Sequence, residues 1–294
     1  MIYSVYIEET GLTFILTGSS PRKLKRGTAN LLGGRARTRY LYPLVSREIK
    51  NIDLSRILNY GSLPSIYQSE DPWEDLNAYC GNYLQEEIAA EGLVRGIENF
   101  SRFLHIASLM NAEQINFENI ASDCALPAST VREYFYILQD TLIGSVLNPF
   151  QKTQKRKPVS TAKFYFFDIG VSHALSGYKH IMPKTELYEK ALEHLVFLDL
   201  KAYLKYKRDD RPLTYWRARN GYEVDFIIGD NTAIEVKATE MVTEKHLKSI
   251  LALTEEIDFK NRIIISEDTS PRQIGKVLVL PIKDFLIQLW EGRF

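Results

Sequence analysis

The sequence predicts a multidomain α/β protein, and three patterns indicate that class. Residues 161–294 alternate helical and strand-like segments, residues 51–110 have helical periodicity, and residues 1–50 contain one buried strand. The chain has 294 residues, of which 45% are hydrophobic and 25% charged. That composition is typical of a folded globular protein and excludes a disordered or collagen-like chain.

Residues 1–50 are predicted to be the C-terminal part of an α/β domain. Phe14, Ile15 and Leu16 form an apolar run without alternation, which is typical of a strand in a parallel sheet covered on both faces. A parallel sheet needs further strands, and only 13 residues precede this one. We therefore expect the first strands of this domain to be absent from the chain.

Residues 51–110 are predicted to be a helical, lid-like region, and residues 111–160 a winged-helix-like unit. In the second unit a helix over 117–124 and a turn at 126–128 precede a helix that Ser129 or Thr130 would cap. Its buried face would carry Val131, Tyr134, Phe135 and Leu138, and residues 142–150 would form a wing strand. Arg132 is the one basic residue on this helix, which favours packing over sequence-specific DNA recognition.

Residues 161–294 are predicted to be a compact α/β domain that follows a polar linker at 151–160. A strand at 163–168 opens it, and a long amphipathic helix covers 186–205. The remaining predicted elements are strands at 213–217, 222–228 and 233–238, a helix at 244–255, strands at 262–266 and 276–281, and a last helix to Trp290.

Charge is distributed unevenly although 37 basic residues balance 37 acidic ones. Residues 21–40 and 151–167 are basic and contain no acid, whereas residues 51–100 contain nine acids and two bases. Basic segments attract the phosphates of a nucleotide or a nucleic acid. Ordinary surface bases paired with acids elsewhere on the chain would give the same pattern, and both interpretations stay open here.

The residues that carry chemistry lie in the C-terminal domain. Strand alternation places Glu223 and Asp225 on one face and Val224 and Phe226 on the other. If residues 229–231 form a three-residue hairpin loop, residue 228 pairs with 232 and Asp225 lies opposite Glu235. Two adjacent carboxylates repel each other unless a proton or a cation lies between them, and Mg²⁺ prefers such oxygen ligands.

This set of residues points to metal-dependent phosphodiester hydrolysis. Asp225 and Glu235 would hold Mg²⁺, Lys237 would orient the attacking water, and Glu193 on the long helix would supply a third carboxylate. The order Asp-x₉-Glu-x-Lys around a hairpin is typical of PD-(D/E)-x-K nucleases, which have a restriction-endonuclease-like fold. The alternative is a strand face with cross-strand charge pairs, in which Glu223 lies opposite Lys237.

Short segments along nearly the whole chain carry a resemblance to one family. They are Phe-Ile-Leu-Thr-Gly-Ser-Ser at 14–20, Leu-Leu-Gly-Gly-Arg-Ala at 31–36, Tyr-Leu-Tyr-Pro-Leu at 40–44, Gly-Ser-Leu-Pro at 61–64, Lys-Phe-Tyr-Phe-Phe-Asp-Ile-Gly at 163–170, Leu-Glu-His-Leu-Val at 192–196, Glu-Val-Asp-Phe at 223–226 and Ile-Glu-Val-Lys-Ala at 234–238. With them the chain resembles archaeal and bacterial AAA-type ATPases that carry a C-terminal domain of unknown function with a restriction-endonuclease-like fold.

The resemblance implies that residues 1–50 hold the sensor strand of a P-loop ATPase core. Thr17 would then lie near the γ-phosphate of ATP, and Arg35 would be an arginine finger or phosphate sensor. The chain has no G-x-x-x-x-G-K-[ST] loop and no apolar strand ending in Asp-Glu. We therefore expect ATP to be a cofactor only if a P-loop-containing subunit or another copy completes the site.

Three functions remain open at this stage: a Mg²⁺-dependent nuclease acting on nucleic acid, a non-catalytic nucleic-acid- or protein-binding remnant, and a subunit of an ATPase completed in trans. The sequence also predicts a cytoplasmic protein that does not enter the membrane. No apolar stretch approaches about 18 residues, and the start lacks the pattern of a signal peptide. Cys80 and Cys124 are too few for a disulfide framework.

Overall fold

A computed structural model of the protein describes residues 37–83 and 96–294 and, of the first 36 residues, Ile15 alone. The described part is mixed α/β, as predicted, with ten α-helices, a two-stranded antiparallel sheet and a six-stranded mixed sheet. The predicted strand at 14–20, Thr17 and Arg35 lie outside the described residues. No helix in the described part is long and apolar enough to cross a membrane.

The first half of the described chain is helical, which confirms the prediction for residues 51–83 and 96–110. Asp53 caps the first helix and Asp71 the third, each by accepting a hydrogen bond from a backbone N–H of the first turn. A 3₁₀ turn at Ser46–Glu48 precedes these helices, and a π-helical turn at Tyr79–Tyr83 follows the third. The α-helices are α1 (Leu54–Tyr60), α2 (Pro64–Gln68), α3 (Pro72–Ala78) and α4 (Ile97–Leu109).

Two further helices, α5 (Phe117–Cys124) and α6 (Ala128–Asp140), form the predicted helix-turn-helix. The predicted buried face of α6 is confirmed, and its aromatic side chains pack edge to face against α4 and α5. The predicted cap is wrong: Pro127 is the N-cap residue, so Ser129 lies inside the first turn. Proline fixes the backbone angle that starts a helix without a side-chain cap.

The wing consists of β1 (Gly144–Leu147) and β2 (Lys163–Phe166), paired antiparallel with Gly144 opposite Phe166. The predicted domain division at residue 160 therefore lies between two hydrogen-bonded strands, and it stays a prediction. The intervening loop is not a free linker. Trp216 donates a hydrogen bond to Thr153 Oγ1 at 3.1 Å, and Pro158 bridges to Ala218.

Three of the five bases in the segment 151–167 form ion pairs with acids of the C-terminal region. Lys152 lies 2.5 Å from Asp230, and Arg156 lies 2.6 Å from Glu255. Lys163 is buried between two carboxylates. For these three bases the structure favours internal pairing over a free phosphate-binding surface.

The C-terminal region is built on the six-stranded sheet in the order β3-β4-β5-β6-β8-β7. The three strands β3, β4 and β5 form an antiparallel meander, and β5, β6 and β8 run parallel. The elements are α7 (Ile169–Ser176), α8 (Glu186–Lys207), β3 (Leu213–Arg217), β4 (Glu223–Ile228), β5 (Thr232–Val236), a 3₁₀ turn (Glu244–Leu247), α9 (Lys248–Thr254), β6 (Asn261–Ser266), β7 (Arg272–Ile274), β8 (Val277–Pro281) and α10 (Ile282–Trp290). All of these elements except α7 and β7 are predicted from sequence, within a few residues.

Apolar side chains cover both faces of this sheet. Phe226, Ile234 and Val236 pack in one core with α8 and α10, whereas Ile227 and Ala233 pack in another with α9. The prediction that Ile234 and Val236 point into the core is confirmed. Burial on both faces leaves polar side chains of the central strands with little access to water, which sets the electrostatics of the site.

Candidate active site

A bulge in β4 sets the orientation of Asp225, which lies next to the end of β5. Thr214 of β3 pairs with Ile227, but Trp216 pairs with Val224, so β4 has one extra residue at this point. Val224 packs with α9 and Phe226 with α8, and the expectation that they share a face is wrong. An inserted residue interrupts the alternation of a strand, and such bulges re-aim side chains near active sites.

The register of the β4–β5 hairpin confirms the predicted loop and the pairing of residue 228 with residue 232, while Asp225 and Glu235 lie just outside the paired stretch. Residues 229–231 form the loop, and Ile228 pairs with Thr232 and Phe226 with Ile234. Asp225 and Glu235 are the next residues beyond the last of these pairs. The Asp225 carboxylate also accepts a hydrogen bond from the backbone N–H of Val236 at 2.7 Å, which fixes it against the end of β5.

Glu235 is buried, and only one of its two carboxylate oxygens contacts a partner. Its side chain is 4% exposed, and Oε1 lies 3.2 Å from Lys237 Nζ. Among the described residues, Glu235 Oε2 is the one buried side-chain oxygen or nitrogen without a hydrogen-bond partner. Burial raises the pKa of Glu235 to about 8; Lys237 opposes this shift, and the charge of Asp225 adds to it. A free, buried carboxylate oxygen beside a second carboxylate is a vacant acceptor for a proton or a hard cation.

Lys237 is held among carboxylates at the end of β5. Besides Glu235, it lies 3.7 Å from Glu189 of α8. Burial lowers the pKa of Lys237, but the charges of Asp225, Glu235 and Glu189 outweigh burial and leave the pKa above its ordinary value. The ammonium group is therefore charged at neutral pH and stays close to the Asp225–Glu235 pair.

Glu193 of α8 is also buried here, and other side chains engage one oxygen of its carboxylate, Oε1. Glu193 Oε1 lies 2.9 Å from Lys163 Nζ and accepts a hydrogen bond from the Tyr165 hydroxyl. Burial raises the pKa of Glu193 to about 7; Lys163 opposes the shift and Asp225 adds to it. The charge of Asp225 thus acts on Glu193. Sequence reasoning did not anticipate that Lys163 and Tyr165 would be the direct partners of Glu193.

Lys163 is the member of the site that sequence analysis missed. It opens β2 and lies between Glu193 and Glu223, with Nζ 2.6 Å from Glu223 Oε1. Glu223 also pairs with Arg217 at 3.0 Å, so the ion pairs found for it differ from the expected pair with Lys237. The signal that could have revealed Lys163 is a lysine at the head of a wholly buried strand, because an isolated buried ammonium requires a carboxylate partner.

The number of carboxylates near Asp225 limits which cation the site could hold. Within residues 37–83 and 96–294, no three His, Cys, Asp or Glu side chains are arranged so that they could hold a metal ion. Asp225 and the free oxygen of Glu235 would provide two hard oxygen ligands. Mg²⁺ is bound in proteins by one or two carboxylates and retains several waters, which matches this number of ligands.

Fold and site together define an α/β domain with a buried carboxylate–lysine cluster at its sheet. Residues 51–180 match the domain of unknown function DUF8612, and residues 188–285 match the domain of unknown function DUF4143, which occurs in proteins associated with AAA-type ATPases. The second match contains Glu193, Asp225, Glu235 and Lys237. Lys163 lies in the first match.

The chain is also similar to an uncharacterized protein of Methanocaldococcus jannaschii. The two are 24% identical over 253 residues, which is 76% of this chain and 55% of the relative. The chain thus spans about half the length of that relative. No solved structure gives a significant match.

Proposed function

We propose that the C-terminal domain is a Mg²⁺-dependent phosphodiesterase that acts on nucleic acid. The observation that carries the proposal is the free, buried oxygen of Glu235 beside Asp225 and Lys237. Leaving a buried carboxylate oxygen unpaired costs roughly 1–3 kcal/mol, and such cost is tolerated where it serves a ligand. A bound Mg²⁺ would polarise the phosphate and acidify a water molecule.

The side chains of the chain itself would perform the remaining tasks. Asp225, fixed by the Val236 N–H, and Glu235 would hold the cation, while the Lys237 ammonium would orient the attacking water and stabilise charge on the phosphate. Glu193 would assist from α8 through its effect on the charge of the cluster, since Lys163 and Tyr165 already bind its Oε1.

The test is cleavage of DNA and RNA substrates by the whole chain with Mg²⁺ or Mn²⁺. We expect cleavage that EDTA abolishes and that Asp225→Asn and Lys237→Met each reduce by about 100-fold or more, as for other groups that stabilise transition-state charge. Matched controls are Asp258→Asn, whose side chain is 91% exposed, and Lys184→Met, whose side chain is 68% exposed. Wild-type rates in the Asp225 and Lys237 variants would refute the site.

A non-catalytic function is the second candidate, and the closed network around Lys163 favours it. Lys163, Glu193, Tyr165 and Glu223 satisfy one another without any added ion. The domain would then be a scaffold that binds nucleic acid or protein. Salt-dependent DNA binding in EDTA, without cleavage when Mg²⁺ is added, would support this function over the first.

A role beside an ATPase core is a separate proposal that the resemblance and the DUF4143 match support. In that role Thr17 and Arg35 would complete an ATP site formed with a P-loop-containing subunit or a second copy. ATP hydrolysis by a mixture of this chain with such a subunit, lost on Arg35→Ala, is the expected result. Unchanged hydrolysis in that variant would remove Arg35 from the ATP site.

A further inference from the structure

Lys163 brings a fixed cation into the carboxylate cluster from a strand outside the six-stranded sheet. Its Nζ atom lies 2.9 Å from Glu193 Oε1 and 2.6 Å from Glu223 Oε1, and the side chain is 5% exposed. Little water can screen these contacts, so each is stronger than an ion pair at the surface. The ammonium thus lies between two carboxylates and contacts both.

We propose that Lys163 replaces a second metal ion, so that this site binds one divalent cation, at Asp225 and Glu235. The inference rests on the proposed function and specifies its metal stoichiometry. It also assigns Glu193 as the partner of Lys163 and not as a ligand of the metal. Lys163 is accordingly a positioning residue, which acts on the reaction through the carboxylates that it holds.

Backbone pairing fixes the main chain of Lys163 next to the cluster. The residue pairs with Leu147 of β1 and forms a bridge with Gln114, so both neighbouring segments hold its main chain. Its ammonium also lies 5.4 Å from the centre of the Tyr215 ring, an arrangement that favours a cation. A metal ion at Glu193 and Glu223 would have to displace this buried ammonium.

Asp225, Glu235 and Lys237 are less completely paired than Lys163 and its carboxylates. Lys237 is 29% exposed on its side chain and contacts one oxygen of Glu235, while the second oxygen remains free. Asp225 is fixed in place by a backbone N–H and not by an ammonium at contact distance. The Lys163 ammonium therefore lies between Glu193 and Glu223, whereas Glu235 Oε2 has no hydrogen-bond partner.

The experiment is a calorimetric titration of the full-length chain with Mn²⁺ alone, without nucleic acid. We expect one equivalent bound by the wild type and a second equivalent bound by Lys163→Met, because the substitution leaves Glu193 and Glu223 without their cation. Lys184→Met is the control and should still bind one equivalent, since Lys184 pairs with Glu240 at the surface. A single equivalent with unchanged affinity in Lys163→Met would overturn the inference.

Glu193→Gln keeps the inference testable if Lys163→Met fails to fold. We expect this variant to bind one Mn²⁺ with nearly wild-type affinity, and a weakening of about tenfold or more would make Glu193 a ligand and overturn the inference. Two equivalents bound by the wild type would overturn this inference and leave the proposed function standing. No binding by the wild type would overturn both.

Discussion

An oxygen of the Asp225 carboxylate accepts a hydrogen bond from the backbone N–H of Val236 over 2.7 Å. The bond joins the bulge of β4 to the last residue of β5, between Glu235 and Lys237 in the sequence. Asp225 therefore stabilises the hairpin, in addition to its proposed role as a metal ligand. Substitutions at this position can separate the two roles.

We expect Asp225→Asn to fold with nearly wild-type stability but to lose Mn²⁺ binding, because the amide oxygen can still accept the Val236 N–H but carries no charge. Asp225→Ala leaves that buried N–H unpaired and should lower the free energy of unfolding by about 1–3 kcal/mol. Urea denaturation of the two variants measures the difference. Equal stabilities would show that the hydrogen bond contributes little.

Metal binding should depend on pH through Glu235. Because its pKa lies at about 8 in the metal-free protein, a cation must displace a proton from it at neutral pH. Mn²⁺ affinity should therefore rise by up to about tenfold per pH unit below the pKa and level off above it. Calorimetry at several pH values checks this, and a constant affinity between about pH 6 and 8 would exclude Glu235 as a ligand.

Glu235 should also make the metal-free fold less stable as pH rises. Below its ordinary pKa of 4.5, the carboxyl is protonated in both the folded and the unfolded chain; between 4.5 and about 8, only the unfolded chain ionises. The free energy of unfolding therefore falls across this window and changes no further above it. Glu235→Gln removes the effect, since an amide does not titrate.

The expected gain in stability for Glu235→Gln is a few kcal/mol at about pH 8.5 and close to zero at about pH 4, since one pKa unit corresponds to about 1.4 kcal/mol. Urea denaturation in EDTA at both pH values measures it. Glu291→Gln, at a partly exposed position near the C-terminus, is the control and should match the wild type. An equal pH dependence in wild type and Glu235→Gln would contradict the assigned pKa.

Sequence reasoning predicts the centre of the site because local rules determine it. The length of the 229–231 loop fixes the register of the hairpin, and the register brings Asp225 and Glu235 together. The bulge in β4 escapes prediction because strict alternation is assumed in the absence of a glycine or proline signal. The bulge places Val224 and Phe226 on opposite faces of the sheet and changes the orientation of Asp225 between them.

Lys163 escapes prediction for a different reason. It is 30 residues from Glu193 and 60 from Glu223 in the sequence, and its strand belongs to the two-stranded wing and not to the six-stranded sheet. Only tertiary packing brings the three together. Tertiary packing also explains why Lys152, Arg156 and Lys163 of the basic segment form internal ion pairs, although the sequence left phosphate binding open for them.

The contact between α1 and α7 should tolerate no side chain at Gly61. This residue has φ of +74°, and an added Cβ would lie 2.1 Å from Asp168 Oδ1. Asp168 is buried, caps α7 and accepts the N–H of Ser62 at 2.7 Å, so it cannot move away freely. We expect Gly61→Ala to cost roughly 3 kcal/mol or more, from backbone strain together with overpacking.

Gly177→Ala is the matched control for that substitution. Gly177 has a similar φ of +79°, but an added Cβ would meet no atom within 4 Å. Its cost should therefore be about 1 kcal/mol, from backbone strain alone. Thermal unfolding of both variants separates the two causes, and equal losses would show that the contact with Asp168 is unimportant.

The most direct test of the account is anomalous diffraction from crystals of the protein soaked in Mn²⁺. We predict one peak, bonded to Asp225 and to the oxygen of Glu235 that lacks a partner, with Lys163 still between Glu193 and Glu223. A structure at saturating Mn²⁺ with no peak at Asp225 and Glu235 would contradict the proposed metal site and the phosphodiesterase chemistry built on it.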